Sequence, residues 1–319
     1  MQIEDKILIL GSSGLVGSSI IRELKKEGYV NILDPIRSKL DLTKQKDVLD
    51  YFFEHKPLFV FHAAAKVGGI RANNHYRADF IFQNLSIQNN VFEAAFKSKV
   101  RRLLFMGSSC IYPRNCPSPI KEEYLLTGEL DPTNEPFAIA KLAGLKTAES
   151  FKRQYGNDFF TVMPSNLYGP GDNFLSEDGH VIPGIIQRLK KVMDGGEKTF
   201  EVWGSGKPVR DFLYVDDLAK ACIILMKTSK ELPYLINIGS GDIVSIKELA
   251  ETICKLMGFS GQIIYNKNYP DGTMNKVLDL SQIKNFKWSP EVNLKEGLSS
   301  TINYFLSNPA FTPIEYKNL

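Results

Sequence analysis

Ile7-Leu8-Ile9-Leu10-Gly11-Ser12-Ser13-Gly14-Leu15-Val16-Gly17 decides how this chain folds. A short apolar run over residues 6–10 stops at a glycine, and glycines recur three and six positions on, as an amphipathic stretch over residues 14–26 begins. A buried strand, a tight turn and a helix opening directly behind it satisfy that pattern. The glycines have separate tasks: one makes the turn, one lets the backbone approach a ligand, and one allows close packing of helix on strand. Free N–H groups and a partial positive charge at the helix start then face an anion, so the unit reads as a cradle for the pyrophosphate of a dinucleotide. The spacing is GxxGxxG rather than GxGxxG, and the strand before it and helix after it supply the structural context.

Further strands are expected at residues 30–33, 58–62, 102–106 and 159–163, with helices at 47–54, 84–96 and 138–155 between them. Continuous apolar strands separated by helices imply a parallel sheet covered on both faces. The right-handed crossover rule makes this α/β chain a doubly wound, Rossmann-type sheet. Beyond Pro164 the texture changes. Turn signals such as Tyr168-Gly169-Pro170, Asp178-Gly179, Gly195-Gly196 and Gly239-Ser240-Gly241 punctuate helical stretches at 182–193, 215–227 and 246–257. The expectation is a dinucleotide domain over 1–164 and a smaller C-terminal substrate lobe over 165–319, with some segments returning to the sheet and a cleft between the two.

Composition narrows the function classes. The net charge of +3, without a basic block, argues against nucleic acid as a partner. No apolar run approaches the roughly 18–20 residues that span a bilayer, so no membrane partner is expected. The first residues lack the pattern of a secretory signal, which points to a cytoplasmic address. Cys110, Cys116, Cys222 and Cys254 form no CxxC pair, and His55, His62, His75 and His180 show no ligand spacing, so no metal is expected. After the second strand comes Asp34-Pro35-Ile36-Arg37. A carboxylate there favours the ribose hydroxyls of NAD and a guanidinium the extra phosphate of NADP; Arg37 tilts the reading to NADP(H), and Asp34 keeps NAD open.

Gly107-Ser108-Ser109-Cys110-Ile111-Tyr112-Pro113 follows the fourth strand, at the sheet edge that faces the ligand crevice. Pro136-Phe137-Ala138-Ile139-Ala140-Lys141 opens the long helix, and Phe137 and Lys141, four apart, share a face. With residues 62–70, 134–141, 172–174, 179–183, 202–206 and 210–217, and with Pro164-Ser165-Asn166-Leu167-Tyr168-Gly169-Pro170, these stretches resemble the extended short-chain dehydrogenase/reductase family, in particular its members that epimerise and reduce GDP-linked 4-keto-6-deoxy sugars. The resemblance spans nearly the whole chain.

It implies a Ser-Tyr-Lys set for hydride chemistry, which falls on Ser108, Phe137 and Lys141. The tyrosine position holds phenylalanine, which can neither donate nor accept a proton. The substitution is either introduced, to trap a bound substrate, or native to a homologue with another task. The resemblance further assigns Cys110 and His180 as the base and acid of 3,5-epimerisation. A thiol serves as a base where its surroundings lower its pKa, and a histidine donates near neutral pH; a buried apolar cysteine and a loop-capping histidine are the plainer alternatives. By the same resemblance Gly11, Ser12, Ser13, Gly14, Leu15, Val16 and Gly17 hold the dinucleotide with Arg37, Asp41, Leu42 and Ala64, and with Lys141, Pro164, Asn166, Leu167 and His180. Ser109, Asn166, Arg188, Trp203, Arg210 and Asp279 would hold the GDP-linked keto-sugar, although Arg188 also reads as a solvated helix face, Trp203 as core and Asp279 as a turn residue. The activity expected is NADPH-dependent 4-keto reduction, impaired by Phe137, with possible epimerisation. A reductase for a GDP-deoxyheptose, an epimerase only, and a non-catalytic dinucleotide binder are the alternatives, and the surroundings of Asn173, Phe174 and Leu175 are expected to set the sugar. A homodimer built on residues 84–96 and 138–155 is expected from the resemblance.

Overall fold

The computed structural model describes residues 1–175, 180–269 and 271–308; the Asp178-Gly179 turn signal falls outside them. In chain order the strands are β1 (Ile7–Leu10), β2 (Ile32–Leu33), β3 (Phe59–His62), β4 (Arg102–Met106), β5 (Asp158–Pro164), β6 (Asn166–Tyr168), β7 (Thr199–Trp203), β8 (Val209–Tyr214), β9 (Leu235–Ile238), β10 (Ile243–Ser245), β11 (Gln262–Asn266) and β12 (Asn275–Lys276). The helices are α1 (Leu15–Lys26), α2 (Gln45–His55), α3 (Ile70–His75), α4 (Arg77–Lys97), α5 (Glu135–Tyr155), α6 (Val181–Asp194), α7 (Val215–Lys227), α8 (Ile246–Met257), α9 (Ser281–Lys284) and α10 (Leu294–Ser307).

Six strands form one sheet in the order β2-β1-β3-β4-β5-β9, and every pair in it is parallel. Alternation along each strand feeds two cores. Ile7, Ile9, Leu104 and Val162 pack with α1 and α7; Leu8, Leu10, Leu103 and Phe159 pack with α2, α4 and α5. This is why the strands read as continuous apolar runs: both faces are covered. The chain leaves β1 for β2 on one side and returns to β3 on the other, so the topology reverses between β1 and β3, where open α/β sheets bind ligands beyond their carboxyl ends. β9 joins the sheet edge from far along the chain.

The remaining strands build smaller sheets: β8 pairs with β6, β10 and β12, and β11 with β7. Their core mixes aliphatic side chains of α6, α8 and α10 with the rings of Tyr168, Phe174, Phe200, Phe212 and Phe305. Phe174 is therefore core, and none of Asn173, Phe174 and Leu175 lines the cleft among the described residues; an apolar ring gains more by burial than by facing a sugar. No helix among the described residues is long and apolar enough to cross a membrane.

Several elements differ from their sequence reading. α4 begins at Arg77, seven residues before the expected start at 84, because its first two turns bury Phe80 and otherwise face outward or into the cleft. β2 shrinks to two residues, since Val30 is 73% exposed. α3, α9 and α10 and the strands β6 to β12 were not expected.

Candidate active site

The turn after β1 is shaped by contact rather than by preference. Gly11 has φ +85°, and a Cβ there would come within 2.9 Å of the Ala63 and Ala64 backbone. A Cβ on Gly17 would come within 2.1 Å of the Gly11 carbonyl oxygen. α1 thus starts directly under the loop, with Gly14 as its N-cap and no side chain bonded to its first N–H groups. Gly14, Leu15, Val16 and Gly17 line a cleft of about 1240 Å³ that runs from this loop, past the ends of β3 and β4, to β7 and β8. A single ligand site is typically about 300–1,000 Å³, so the volume suits two ligands.

At the loop end, Ser12, Ser13, Gly14, Leu15 and Val16 line the cleft, and the Ser12 hydroxyl donates to the Asp34 and Pro35 carbonyls. Arg37, Asp41, Leu42 and Ala64 line it too, whereas Asp34 is not among its walls. Asp41 accepts from the Thr43 backbone N–H and hydroxyl, which hold its carboxyl below the usual range. Pro164, Asn166 and Leu167 bring the end of β5 and the start of β6 to the middle of the cleft, where the Asn166 amide donates to the Asp211 carbonyl at 3.0 Å.

Ser108, Ser109, Cys110, Phe137, Lys141 and His180 all line the cleft. Ser108 accepts from the Cys110 backbone N–H at 3.5 Å and so caps the short turn Ser109–Ile111. Phe137 is half-buried, edge to face with Phe80 at 6.2 Å. One turn along α5, the Lys141 ammonium donates to the Met106 carbonyl at 2.7 Å and lies 4.6 Å from the Phe105 ring centre and 5.9 Å from that of Phe137. Burial pushes its pKa down to about 8, against a pull upward from Cys110.

Burial pushes the Cys110 thiol up, opposed by Lys276, the Ser108 hydroxyl and Lys141. Desolvation outweighs the two cations here, which works against a thiolate at this position. His180 Nδ1 lies 3.5 Å from Asp172 Oδ1, and this partner raises the imidazole pKa against the opposing effect of burial.

At the far end Arg188 and Trp203 stack, with the guanidinium 4.1 Å from the ring centre, and Tyr269 lies on the indole at 4.7 Å and 15°. Arg188 also donates to the Glu201 carbonyl, so it is neither a bare solvated face nor free to swing. Trp203 is 42% exposed and lines the cleft, so it is not core. Arg210 lines the same end. Asp279 does not. It accepts from the Ser281 N–H at the start of α9, the turn role weighed above. The acid that lines this end of the cleft is Asp271, which accepts from the Ser205 backbone N–H and hydroxyl. Tyr269, Asp271 and Lys276 escaped the sequence reading; the Asp271-Gly272 turn pair was the available signal for one of them.

Residues 7–239 match the NAD dependent epimerase/dehydratase family. The chain is 48% identical to GDP-L-fucose synthase 1 of Arabidopsis thaliana over 303 residues, 95% of this chain and 94% of that one. It is 45% identical to the GDP-L-fucose synthase of Escherichia coli (strain K12) over 313 residues, 96% of this chain and 98% of that one. Among solved structures, a GDP-mannoheptose C4 reductase from Campylobacter jejuni with NADP bound superposes with a TM-score of 0.86 at 36% identity, covering 96% of this chain and 100% of that one. The chain belongs to the NAD dependent epimerase/dehydratase family, as a relative of the GDP-L-fucose synthases.

Proposed function

We propose that this chain binds NADP(H) and a GDP-linked 4-keto-6-deoxy sugar end to end in the cleft, and that it reduces the 4-keto group slowly, with proton exchange at C3 and C5. The observation that carries the reading is the joint presence of Ser108, Cys110, Lys141 and His180 in the lining of one cleft large enough for both ligands. Relatives named for GDP-L-fucose and GDP-mannoheptose chemistry, one of them solved with NADP, support it. The dinucleotide rests on residues 1–164 and the GDP-sugar mainly on 165–319.

The glycine loop and the uncapped start of α1 fit a pyrophosphate. Arg37, on the cleft wall where Asp34 is not, suits the 2′-phosphate of NADP. Bound NADPH supplies the hydride for C4. Ser108 donates to the keto oxygen, and Lys141 holds the nicotinamide ribose. Phe137 fills the space of an acid without supplying its proton, a loss of typically about 10²–10⁴-fold in rate. Cys110 removes a proton next to the keto group and His180 returns one. Arg188 and Arg210 offer paired donors to the diphosphate.

A second reading is C4 reduction of a GDP-deoxyheptose without epimerisation. The likeness to the heptose reductase and the raised Cys110 thiol favour it. We also read the chain as a homodimer through α4 and α5, whose outer faces expose Phe82 (73%) and Ile139 (39%).

Incubation with NADPH and GDP-4-keto-6-deoxymannose in heavy water tests the assignment. Deuterium in the sugar, read by mass spectrometry, with slow loss of cofactor absorbance is the expected result. Absence of both removes this sugar as substrate, and reduction without deuterium selects the reductase-only reading.

A further inference from the structure

Without a tyrosine hydroxyl, the keto oxygen needs another source for its proton, and the cleft offers few. The Ser108 hydroxyl can relay a proton but holds its own too tightly to give it up. Burial has the same effect on the Cys110 thiol. His180 stands at the start of α6 against Asp172. Lys141 is placed differently. It lies one turn from Phe137 on the same face of α5, with its ammonium 5.9 Å from the centre of the ring that replaces the phenol. An ammonium carries three donors. One goes to the Met106 carbonyl, and Lys141 forms no ion pair among the described residues, so two N–H bonds remain for the cleft it lines.

We propose that Lys141 is the proton source for the keto oxygen in this chain, acting as general acid in place of the absent tyrosine. The proposal rests on the reductase reading above. In the step, the carbonyl π bond breaks onto oxygen as its carbon gains the two electrons of the hydride, which the cofactor gives up. An O–H bond forms as an N–H bond of Lys141 breaks, and the neutral amine takes a proton back from solvent through the open cleft.

The titratable groups that face Lys141 are Cys110, in the turn after β4, and His62, at the end of β3. His62 is fully buried, and burial with the nearby ammonium pushes its pKa down to about 3, so it stays neutral. Gln88 of α4, bonded to the Ala140 carbonyl, carries no charge. With its pKa pushed down to about 8, Lys141 is a far better acid near neutral pH than an ordinary lysine at about 10.4. The acid form is the ammonium, so activity holds below that pKa and falls as pH rises through it.

Two measurements test this. The first uses the protein without cofactor: trace acetylation with acetic anhydride from neutral to alkaline pH, read by peptide mass spectrometry. Lys141 is expected to label with a midpoint near 8, well below the exposed lysines; a midpoint among theirs overturns the proposal. The second follows NADPH consumption with GDP-4-keto-6-deoxymannose against pH in the parent, Phe137→Tyr and Lys141→Arg. The parent rate is expected to fall about tenfold per pH unit above its midpoint. Lys141→Arg keeps the cation but holds its protons too tightly to give one, and at saturating NADPH it is expected to be at least about 100-fold slower than the parent. A parent rate that stays flat into the alkaline range, or a Lys141→Arg variant as fast as the parent, overturns the assignment. A Phe137→Tyr variant that consumes no NADPH overturns the reductase reading itself, and the proposal with it.

Discussion

His180 and Asp172 show how a single contact sets chemistry at this site. The imidazole is 52% exposed at its side chain, yet the buried carboxylate 3.5 Å away raises its pKa. The donating form is the imidazolium, present below that pKa and lost as pH rises through it. In Asp172→Asn the alkaline limb of deuterium exchange into the sugar should therefore move to lower pH, and His180→Asn should lose about 10²–10⁴-fold of exchange at every pH. An unmoved limb in Asp172→Asn would mean that His180 does not donate. The sequence reading found both candidate exchange residues and missed what tunes them. Whether a thiol is lowered or raised depends on desolvation and on cations such as Lys276, which lies 166 positions along the chain from Cys110. Asp279 and Asp271 make the same point: each follows a plausible signal, but Asp271 lines the cleft whereas Asp279 turns to the Ser281 N–H.

At the scale of elements, the loop between β1 and α1 was legible because its glycines answer to backbone contacts within a few residues and to one neighbouring strand. A Cβ on Gly17 meets backbone at 2.1 Å, while one on Gly14 meets the Gly11 oxygen only at 3.4 Å. Gly17→Ala should cost about 2 kcal/mol or more in denaturant unfolding, by overpacking, and weaken NADPH binding at least tenfold. Gly14→Ala should fold nearly as stably as the parent. Equal stability losses in the two would show that the close approach of α1 to the loop is not what the glycines protect. The short strands β6, β10 and β12, two or three residues each, escaped because a period of two cannot be read over so few positions. β4, α7 and α8 match their expected bounds residue for residue, because each is a long apolar run or amphipathic stripe with a clear end.

The whole molecule joins a doubly wound sheet to a second core, with a cleft spanning the junction. Its outer α4 and α5 faces carry the homodimer proposal: Phe82→Asp should convert a dimer to a monomer in light scattering after size exclusion, and a parent chain that is itself monomeric would refute the interface. The central claim is that the chain holds a GDP-keto-sugar reductase site complete except for one hydroxyl. The turnover of NADPH with GDP-4-keto-6-deoxymannose in Phe137→Tyr, compared with the parent chain at neutral pH, tests it most directly. A gain of about 10²–10⁴-fold with little change in NADPH affinity is expected; equal rates in the two proteins would rule this site out as a reductase lacking only a hydroxyl.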